Sequence, residues 1–549
     1  MRFPLVAALL AAGLANSNSF AGGCTGDLNG DAVVDAGDLA AMLGAWGTAD
    51  IADLDGDGTV AAADLSLLLG AWGACPVVGA PIERELAAVP LTAFPFANFV
   101  QSFNRGSAVR VAVDPAQVPA LANATVDVFV VEDRTAAEWT SNATLVDARG
   151  KYVIPGLINM HGHLHQERGG VPMDPNYVLK LWLACGITTV RDVGSALQFT
   201  LDAKAKSERG ELAAPRLFVY PMLGRPGTPE AAVNRVKEIK ARGADGMKIV
   251  GAWRNTFDAA AREAKAAGLP IAIHIGVEET NATDAIRNQV ATIEHWYGIP
   301  DAALPAGVQN FPASYNYLNE ADRFRYAGRL WREADPQKLG AVLDAMVAQG
   351  VAWDPTLEIY EASRDLQRAQ NQPWFREYLH PALGSFFTPN LENHGSYFIN
   401  WSSTDEAFWK ENYRLWFAAV RDFEARGGTL TMGEDAGYIY QMYGFGMLRN
   451  LELHQEAGFH PLRVLRHATV NGARVLHAEN TIGRVRAGWS ADLLIVNGNP
   501  LEDFKVLYPV SPNAGTRTGI EWTIKAGFPY HVPELLSEVK AIVDQARKR

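Results

Sequence analysis

The sequence predicts an α/β protein: a (β/α)8 TIM barrel with a flanking β-sandwich, preceded by a small all-α module. Eight short apolar runs alternate with helical patterns between about residues 155 and 480, and such a barrel needs eight strand–helix units. Segments with alternating, β-rich runs lie on both sides, at 76–154 and 481–532, and are expected to form one composite sandwich. A doubly wound open sheet is the competing architecture.

The predicted barrel strands are apolar runs bounded by turn residues. In chain order they are 157–163, 186–192, 216–221, 246–251, 271–276, 292–296, 351–357 and 430–435. Helix ends between them are recognisable, as at Thr228 and Pro229, where an N-cap residue precedes a proline in the first turn. A terminal amphipathic helix is predicted over 533–549.

Composition limits the classes of function. At 549 residues, with 48% hydrophobic and 20% charged residues, the chain is expected to be globular with several domains. The net charge of −12 argues against nucleic acid or an anionic membrane as a partner. Residues 1–21 have the early arginine, apolar run and small-residue cleavage site of a signal peptide, so we expect a secreted protein, periplasmic or extracellular, with surface anchoring as an option. No transmembrane segment is expected in the mature chain.

Residues 24–75 contain a twelve-residue pattern twice, at 27–38 and 53–64. Both copies place oxygen-bearing side chains at loop positions 1, 3, 5 and 12 and a backbone carbonyl at position 7, which is the ligand spacing of a calcium-binding EF-hand loop. The candidate calcium ligands are Asp27, Asn29, Asp31, Val33, Asp35, Asp38, Asp53, Asp55, Asp57, Thr59 and Asp64. An acidic solvated linker is the alternative, and the doubled register argues against it.

This repeat resembles a type I dockerin module over its whole length. The resemblance implies bound calcium and a cohesin-type or cell-surface anchoring partner. Dockerins often carry a Ser/Thr pair at loop positions 10 and 11, whereas this chain has Ala36-Gly37 and Ala62-Ala63. The sequence therefore supports calcium binding better than it supports cohesin binding.

Metal-ligating residue types occur on five of the predicted barrel strands, in runs that such a barrel would bring to its carboxyl-terminal face. His161 and His163 are separated by one residue, so in a strand both imidazoles project from the same face. The candidate site residues at these strand ends are His161, His163, Lys248, His274, His295 and Asp435. Each one alone has an ordinary core interpretation, but together they indicate a metal site.

Five motifs carry a family resemblance: PGLINMHGH, GITTVRDVG, GADGMKI, IEH and the tail at 468–504. They are similar to those of the metal-dependent amidohydrolase superfamily over about residues 100–530, and most similar to its prolidase-like and imidazolonepropionase-like members. The resemblance implies two divalent transition metals, with zinc expected and manganese or iron as alternatives.

The resemblance also implies roles. His161, His163 and Asp435 would hold one ion, His274 and His295 the other, and a carboxylated Lys248 would bridge them. The implied reaction is hydrolysis of an amide-like C–N bond in a small molecule, such as a dipeptide or N-acyl amino acid, by a metal-activated hydroxide with Asp435 as the catalytic proton shuttle. Alternatives are a deaminase, a lactone or ester hydrolase, or a calcium-dependent anchoring protein with an inactive barrel.

Three further features are open at this stage. Strand 8 reads Gly433-Glu434-Asp435 where the family usually has Gly-Thr-Asp, and strand alternation predicts that Glu434 points away from the barrel interior. Tyr220 and Arg225, near the end of strand 3, are candidates for binding a substrate carboxylate. For the aromatic-rich connection at 365–417, we expect part to pack as a helix and the remainder to cover the active site as a lid.

Overall fold

The computed structural model describes residues 151–275, 279–305, 312–316, 319–486, 489–510 and 519–548, with shorter pieces between residues 28 and 148. The chain divides into two compact units, Met1–Pro90 and Leu91–Arg549. Within the described parts, no helix combines the length and the apolar composition that a membrane span requires. The predicted signal peptide lies outside the described residues, as do six of the predicted calcium ligands: Asp27, Asn29, Asp31, Asp35, Asp55 and Asp57.

The first unit repeats one arrangement twice. The buried carboxylate of Asp38 accepts a hydrogen bond from the backbone N–H of Leu28 (2.7 Å), and the buried carboxylate of Asp64 accepts one from Leu54 (2.6 Å). Each aspartate thus closes its own loop onto the first turn of the following helix. The elements are β1 (Val33–Val34), α1 (Ala36–Gly44), α2 (Ala62–Gly70) and β2 (Gly73–Ala74). The antiparallel pair of β1 and β2 is an addition to the predicted all-α module.

The second unit is built around a closed parallel barrel. It is preceded by β3 (Val109–Val113), β4 (Val128–Glu132), β5 (Thr144–Asp147) and β6 (Tyr152–Pro155). The strands of the barrel are β7 (Leu157–Gly162), β10 (Ile187–Asp192), β11 (Arg216–Val219), β12 (Met247–Val250), β13 (Ile271–His274), β14 (Thr292–Glu294) and β15 (Ala352–Asp354). A separate hairpin of β8 (Glu167–Arg168) and β9 (Val171–Pro172) follows β7.

Backbone contacts close the ring. Strands β11, β10 and β7 are parallel neighbours, as are β12 to β15, and a parallel bridge from Met222 to Lys248 joins the two groups. Residues 430–435 take the eighth position, because Leu430 bridges to Trp353 and the carbonyl of Met432 accepts the Met160 N–H (2.9 Å). The predicted barrel is confirmed, and the open sheet is excluded.

Helices surround the barrel and fill its long connections. The 23-residue helix α16 (Ser403–Ala425) begins at a capping box, in which Ser402 and Asp405 satisfy each other's backbone N–H groups. The helices are α3 (Pro175–Ala184), α4 (Leu197–Glu208), α5 (Pro229–Ala241), α6 (Arg254–Ala266), α7 (Ala282–Arg287), α8 (Ile299–Ala302), α9 (Glu320–Ala327), α10 (Leu330–Glu333), α11 (Pro336–Ala348), α12 (Glu361–Arg364), α13 (Leu366–Gln370), α14 (Phe375–Tyr378), α15 (Pro381–Phe386), α16 (Ser403–Ala425), α17 (Phe445–Glu456), α18 (Pro461–Arg466), α19 (Gly472–Val475) and α20 (Val532–Arg547).

A flanking sheet is assembled from both ends of the barrel segment. Strand β6 pairs antiparallel with β16, and the sheet continues in the order β18-β17-β16-β6. The carboxyl-terminal strands are β16 (Leu493–Val496), β17 (Ile520–Lys525) and β18 (Phe528–His531). Strands β4, β3 and β5 form a separate sheet, so a sandwich of the two remains a prediction. The terminal helix α20 is not merely solvated, since it buries Leu535 and Val539 and packs on α3.

A pair of buried histidines lies where α17 meets a π-helical turn at His467–Asn471. His454 Nδ1 lies 3.1 Å from His467 Nδ1, and His467 Nε2 lies 3.0 Å from Glu424 Oε1. Burial, and then the neighbouring His467, hold the pKa of His454 well below its ordinary value of 6.5. The folded protein therefore keeps His454 neutral at a pH where the unfolded chain would protonate it.

This lowered pKa makes stability depend on pH. The contribution of His454 is complete above pH 6.5 and is lost as the pH falls below that value, because only the unfolded chain then binds the proton. We expect a slope of about 1.4 kcal/mol per pH unit in the free energy of unfolding below pH 6.5. Denaturant unfolding at several pH values should show a shallower slope in His454→Gln. The exposed His460, replaced by Asn, is the control, and an equal change in both variants would contradict the assignment.

Candidate metal centre

His161 is oriented by a buried ion pair. Its Nδ1 lies 2.6 Å from Glu294 Oε2, and the Arg191 guanidinium donates to both oxygens of Glu294 (2.8 and 2.9 Å). Although burial alone would raise it, the pKa of Glu294 is lowered by Arg191 and Lys248. The ionised carboxylate accepts the Nδ1 proton of His161, so the Nε2 lone pair faces the centre.

His295, the residue that follows strand β14, is oriented in a similar way. Its Nδ1 lies 2.6 Å from the hydroxyl oxygen of Thr356, and its Nε2 lies 3.6 Å from Asp435 Oδ2. The residue has φ +59°, the left-handed region that non-glycine residues seldom occupy. This turn allows both Glu294 and His295, which are consecutive, to contact the centre.

Asp435 occupies the middle of the cluster. Its Oδ1 lies 2.9 Å from His163 Nε2 and 3.5 Å from His161 Nε2. The backbone of Asp435 also has positive φ (+46°) and donates its N–H to the His161 carbonyl (2.8 Å). A side chain at Gly433 would overlap His161, with Cβ atoms 2.4 Å apart, so glycine is required for strand 8 to approach β7.

Lys248 reaches the same point from strand β12. Its Nζ lies 3.2 Å from His161 Nε2, and the residue is almost completely buried. Burial lowers the pKa of Lys248 to about 8, against the opposing effect of Glu294 and Asp435. A substantial fraction of this amine is therefore neutral near physiological pH.

The histidines have the protonation state that a metal needs. Burial, with the charge of Lys248, holds the pKa of His161 and of His274 well below 6.5, and burial with His274 does the same for His295. The His274 ring lies 4.7 Å from the His295 ring. Ligand atoms of His161, His295 and Asp435 all lie within 4.8 Å of one another. Neutral imidazoles with converging lone pairs and one carboxylate fit a divalent cation.

The sequence matches the profile of the Amidohydrolase family over residues 152–311 and 390–515, more than half of the chain. All six candidate ligands lie in these ranges. The chain belongs to the amidohydrolase family. It is therefore an enzyme, a hydrolase, of a family that usually binds divalent metals and is built on a TIM barrel with a flanking sheet domain.

No curated protein matches the sequence of this amidohydrolase. Its fold is similar to several solved structures at low identity. A Xaa-Pro dipeptidase with bound methionine is 20% identical (TM-score 0.47, covering 69% of this chain and 87% of that one). The bottromycin amidohydrolase is 18% identical (TM-score 0.49, 85% and 96%), and molinate hydrolase is 15% identical (TM-score 0.47, 75% and 89%).

Glu434, the unusual residue of this amidohydrolase on strand 8, points away from the centre as alternation predicts. It accepts hydrogen bonds from the Trp182 indole (2.5 Å) and from the Gly444 and Met447 N–H groups at the start of α17 (2.7 and 3.2 Å). Burial raises the pKa of Glu434 to about 8. Its role is to fix strand 8 against helix α17.

The two candidate substrate residues have different surroundings, and the Tyr220 ring lies 5.4 Å from Arg191 Cζ. Tyr220 is buried in a core cluster with Val193 and Ala272. Arg225 is exposed and lines a cavity of about 150 Å³ with Trp253. Their substrate roles remain predictions.

The aromatic connection divides between packing and the barrel mouth. Helix α16 buries most of its own aromatics in the core: Trp409, Tyr413, Trp416 and Phe417. Earlier in the connection, Phe386 and His394 each lie next to Tyr438, whose ring is 5.7 Å from that of His163. Opening and closing of this segment as a lid remains a prediction.

Sequence reasoning did not assign Glu294 or Arg191 to the site. Their signal was present, since a buried glutamate on strand 6 requires a cation and GITTVRDVG places one on strand 2. Alternation along strand 6, with His295 facing inward, predicts the opposite direction for Glu294. The positive φ of His295 reverses that expectation.

Proposed function

We propose that this amidohydrolase hydrolyses amide-like C–N bonds in small molecules such as dipeptides or N-acyl amino acids. The observation that carries the proposal is the convergence of His161, His295 and Asp435 ligand atoms within 4.8 Å at the carboxyl-terminal end of the barrel, with Lys248 Nζ 3.2 Å from His161 Nε2. Four imidazoles and one lysine amine, all buried or half-buried, surround the Asp435 carboxylate. This set of polar groups suits a metal centre better than it suits a packed core.

Six residues would hold two divalent metals, with zinc the expected ion. His161, His163 and Asp435 would bind one, His274 and His295 the other, and a carboxylated Lys248 would span both. When bound, such ions make a water nucleophilic near neutral pH and polarise the scissile carbonyl. Glu294 and Thr356 hold the imidazoles of His161 and His295 in the required orientation.

Lys248 is suited to carboxylation because burial lowers its pKa to about 8. The neutral amine attacks carbon dioxide, a nitrogen–carbon bond forms, and the nitrogen releases one proton. The product is a carbamate anion, which supplies oxygen ligands that an ammonium group cannot supply. Burial protects this group from bulk water.

Asp435 is placed to move the proton. Its carboxylate lies between His163, His161 and His295, so it is held in one position at the centre of the cluster. It accepts the proton released by the attacking water and gives it to the leaving nitrogen. This transfer allows an amine to leave as a neutral product.

Asp435→Asn is expected to lower kcat by about 10³-fold on the best substrate, because the amide cannot accept the proton. Asp202→Asn, a substitution of an exposed carboxylate on helix α4, is the control. This side chain accepts a hydrogen bond from Gln198 on the same helix, so kcat should change little. A steady-state screen of dipeptides, N-acyl amino acids, lactones and aminated heterocycles measures both. Hydrolysis of only the last two classes would contradict the proposed substrate class.

We also propose that residues 1–21 direct export and that residues 24–75 bind calcium and an anchoring partner. Exposed apolar side chains of the first unit, Leu43, Trp46 and Leu67, are suited to such a contact. The matching closure of the two loops by Asp38 and Asp64 supports two equivalent calcium sites.

Calcium titration of the full chain is expected to reveal two sites. Asp38→Asn and Asp64→Asn should each remove one of them, since each weakens the last carboxylate of one loop. Isothermal titration calorimetry counts the sites. Glu211→Gln, a substitution of an exposed carboxylate in the other unit, should leave both unchanged. Two sites remaining in both loop variants would contradict the proposal.

A further inference from the structure

Two arginines, Arg168 and Arg191, are buried in the described parts of the chain, and they differ in their ion pairing. Arg191 forms an ion pair with Glu294, as a buried guanidinium requires. Arg168 is only 7% exposed, yet no carboxylate among the described residues forms an ion pair with it. A buried positive charge without a counter-charge is unfavourable unless a ligand supplies one.

The guanidinium of Arg168 is held rigidly. Its Cζ lies 4.0 Å from the centroids of both the Phe386 and the Tyr438 rings, so it is stacked between them. Its Nε and Nη2 both donate to the Gly437 carbonyl (2.9 and 2.7 Å). A planar group fixed in this way retains its Nη1–Nη2 edge, which matches a carboxylate.

Arg168 is also placed beside the metal centre. It lies in the β8–β9 hairpin that follows His161 and His163, and its acceptor Gly437 is two residues beyond Asp435. The Tyr438 ring against which it stacks lies 5.7 Å from the His163 ring. A side chain at Gly437 would contact the Tyr443 hydroxyl at 2.4 Å, so glycine is required for this close packing.

Neighbouring groups do not satisfy the charge. The His165 ring is stacked 5.3 Å from that of His163, and its Nδ1 lies 2.6 Å from the Tyr443 hydroxyl. The groups that cover the two faces of the guanidinium are the aromatic rings of Phe386 and Tyr438, and neither carries a carboxylate.

We infer that Arg168 binds a carboxylate of the substrate and selects acids over neutral amides. This inference rests on the proposed function and narrows its substrate class to compounds with a free carboxylate near the scissile bond, as in dipeptides and N-acyl amino acids. Arg168 acts as a specificity residue and takes no part in bond cleavage.

The test compares acids with their carboxamides on the full, metal-loaded chain. For a panel of dipeptides and N-acetyl amino acids, kcat/KM of the wild type should favour the acid by about 100-fold over the matched carboxamide, the effect of one charged bidentate contact. Arg168→Met should lower kcat/KM for acids by about 100-fold and for carboxamides by less than about threefold. Arg168→Lys keeps the charge without the planar fork, so its kcat/KM for acids should lie between those of the wild type and of Arg168→Met.

A purely structural role for Arg168 predicts equal losses for both substrate classes, and that result overturns the inference. A selective loss in Arg225→Met instead of Arg168→Met also overturns it. If Arg168→Met does not fold, the acid-to-carboxamide ratio of the wild type and the Arg168→Lys variant decide the question.

Binding separates this inference from the proposed function. The thermal midpoint of the wild type should rise more with N-acetyl-L-phenylalanine than with its carboxamide, and Arg168→Met should lose the difference. Preferential binding without any C–N hydrolysis refutes the proposed function and leaves the inference standing. Equal hydrolysis of acids and carboxamides overturns the inference and leaves the proposed function standing. Equal binding of both compounds, or binding of neither, also overturns the inference.

Discussion

Lys248→Met is expected to remove most of the bound divalent metal and to lower kcat by about 10³-fold or more. The thioether cannot form a carbamate, so the proposed bridge between the two ions is lost. His161 Nε2 also loses its neighbour at 3.2 Å. Plasma mass spectrometry of the purified chain measures the metal content, with about two ions expected in the wild type and fewer than one in the variant.

Lys525 provides the matched control. It is equally buried, donates to the Ser207 carbonyl (2.7 Å), and burial lowers its pKa to about 8 as well. Because it lies in the flanking sheet, Lys525→Met should retain metal and kcat. Retention of metal and activity in Lys248→Met, or the same loss in both variants, would exclude Lys248 as a ligand.

Glu294→Gln is expected to lower the free energy of unfolding by about 3–5 kcal/mol, because it removes the carboxylate 2.8 Å from the Arg191 guanidinium and leaves only the more distant Asp354, at 3.9 Å. Metal affinity should also fall by about 10- to 100-fold, since His161 loses the acceptor that orients its ring. Denaturant unfolding of the metal-free chain measures the first effect, and titration against a chelating dye measures the second.

Two further variants test whether the charge of Arg191 causes the loss of stability. Arg191→Met combined with Glu294→Gln should recover part of the stability, because the unpaired charge is removed, while metal affinity stays low. Glu211→Gln breaks an exposed pair with Arg209 and should have no measurable effect. Unchanged stability and metal affinity in Glu294→Gln would show that the buried pair does not support the centre.

Much of the barrel was predictable because each of its strands has a local signature in the sequence. Each one is a short apolar run that ends in a turn or polar residue, and sequence neighbours alone determine such a pattern. The predicted run at 430–435 forms no regular strand of its own, but isolated contacts to Trp353 and Met160 place it in the ring. By contrast, the pairing of β1 with β2 was missed, since two residues carry no periodic signal.

The ligand residues were predictable for the same reason. The direction in which each side chain projects from its strand was predictable only in part. Alternation correctly places His161 and His163 on one face, with rings 5.2 Å apart. It also places Glu434 behind the strand. It fails at His295, where a positive φ outside the regular strand turns the side chain toward the centre together with Glu294.

The amino-acid sequence alone determined the barrel, the six candidate ligands and the repeated calcium-loop pattern, because each depends on spacing along the chain. Tertiary structure decided which charges meet. Arg191 and Glu294 are 103 residues apart, and only closure of the barrel brings strand 2 opposite strand 6. In the same way, Phe386 and Tyr438 stack on Arg168, and no carboxylate among the residues that the structure describes pairs with this buried guanidinium. The packing of distant loops is not encoded in any local pattern.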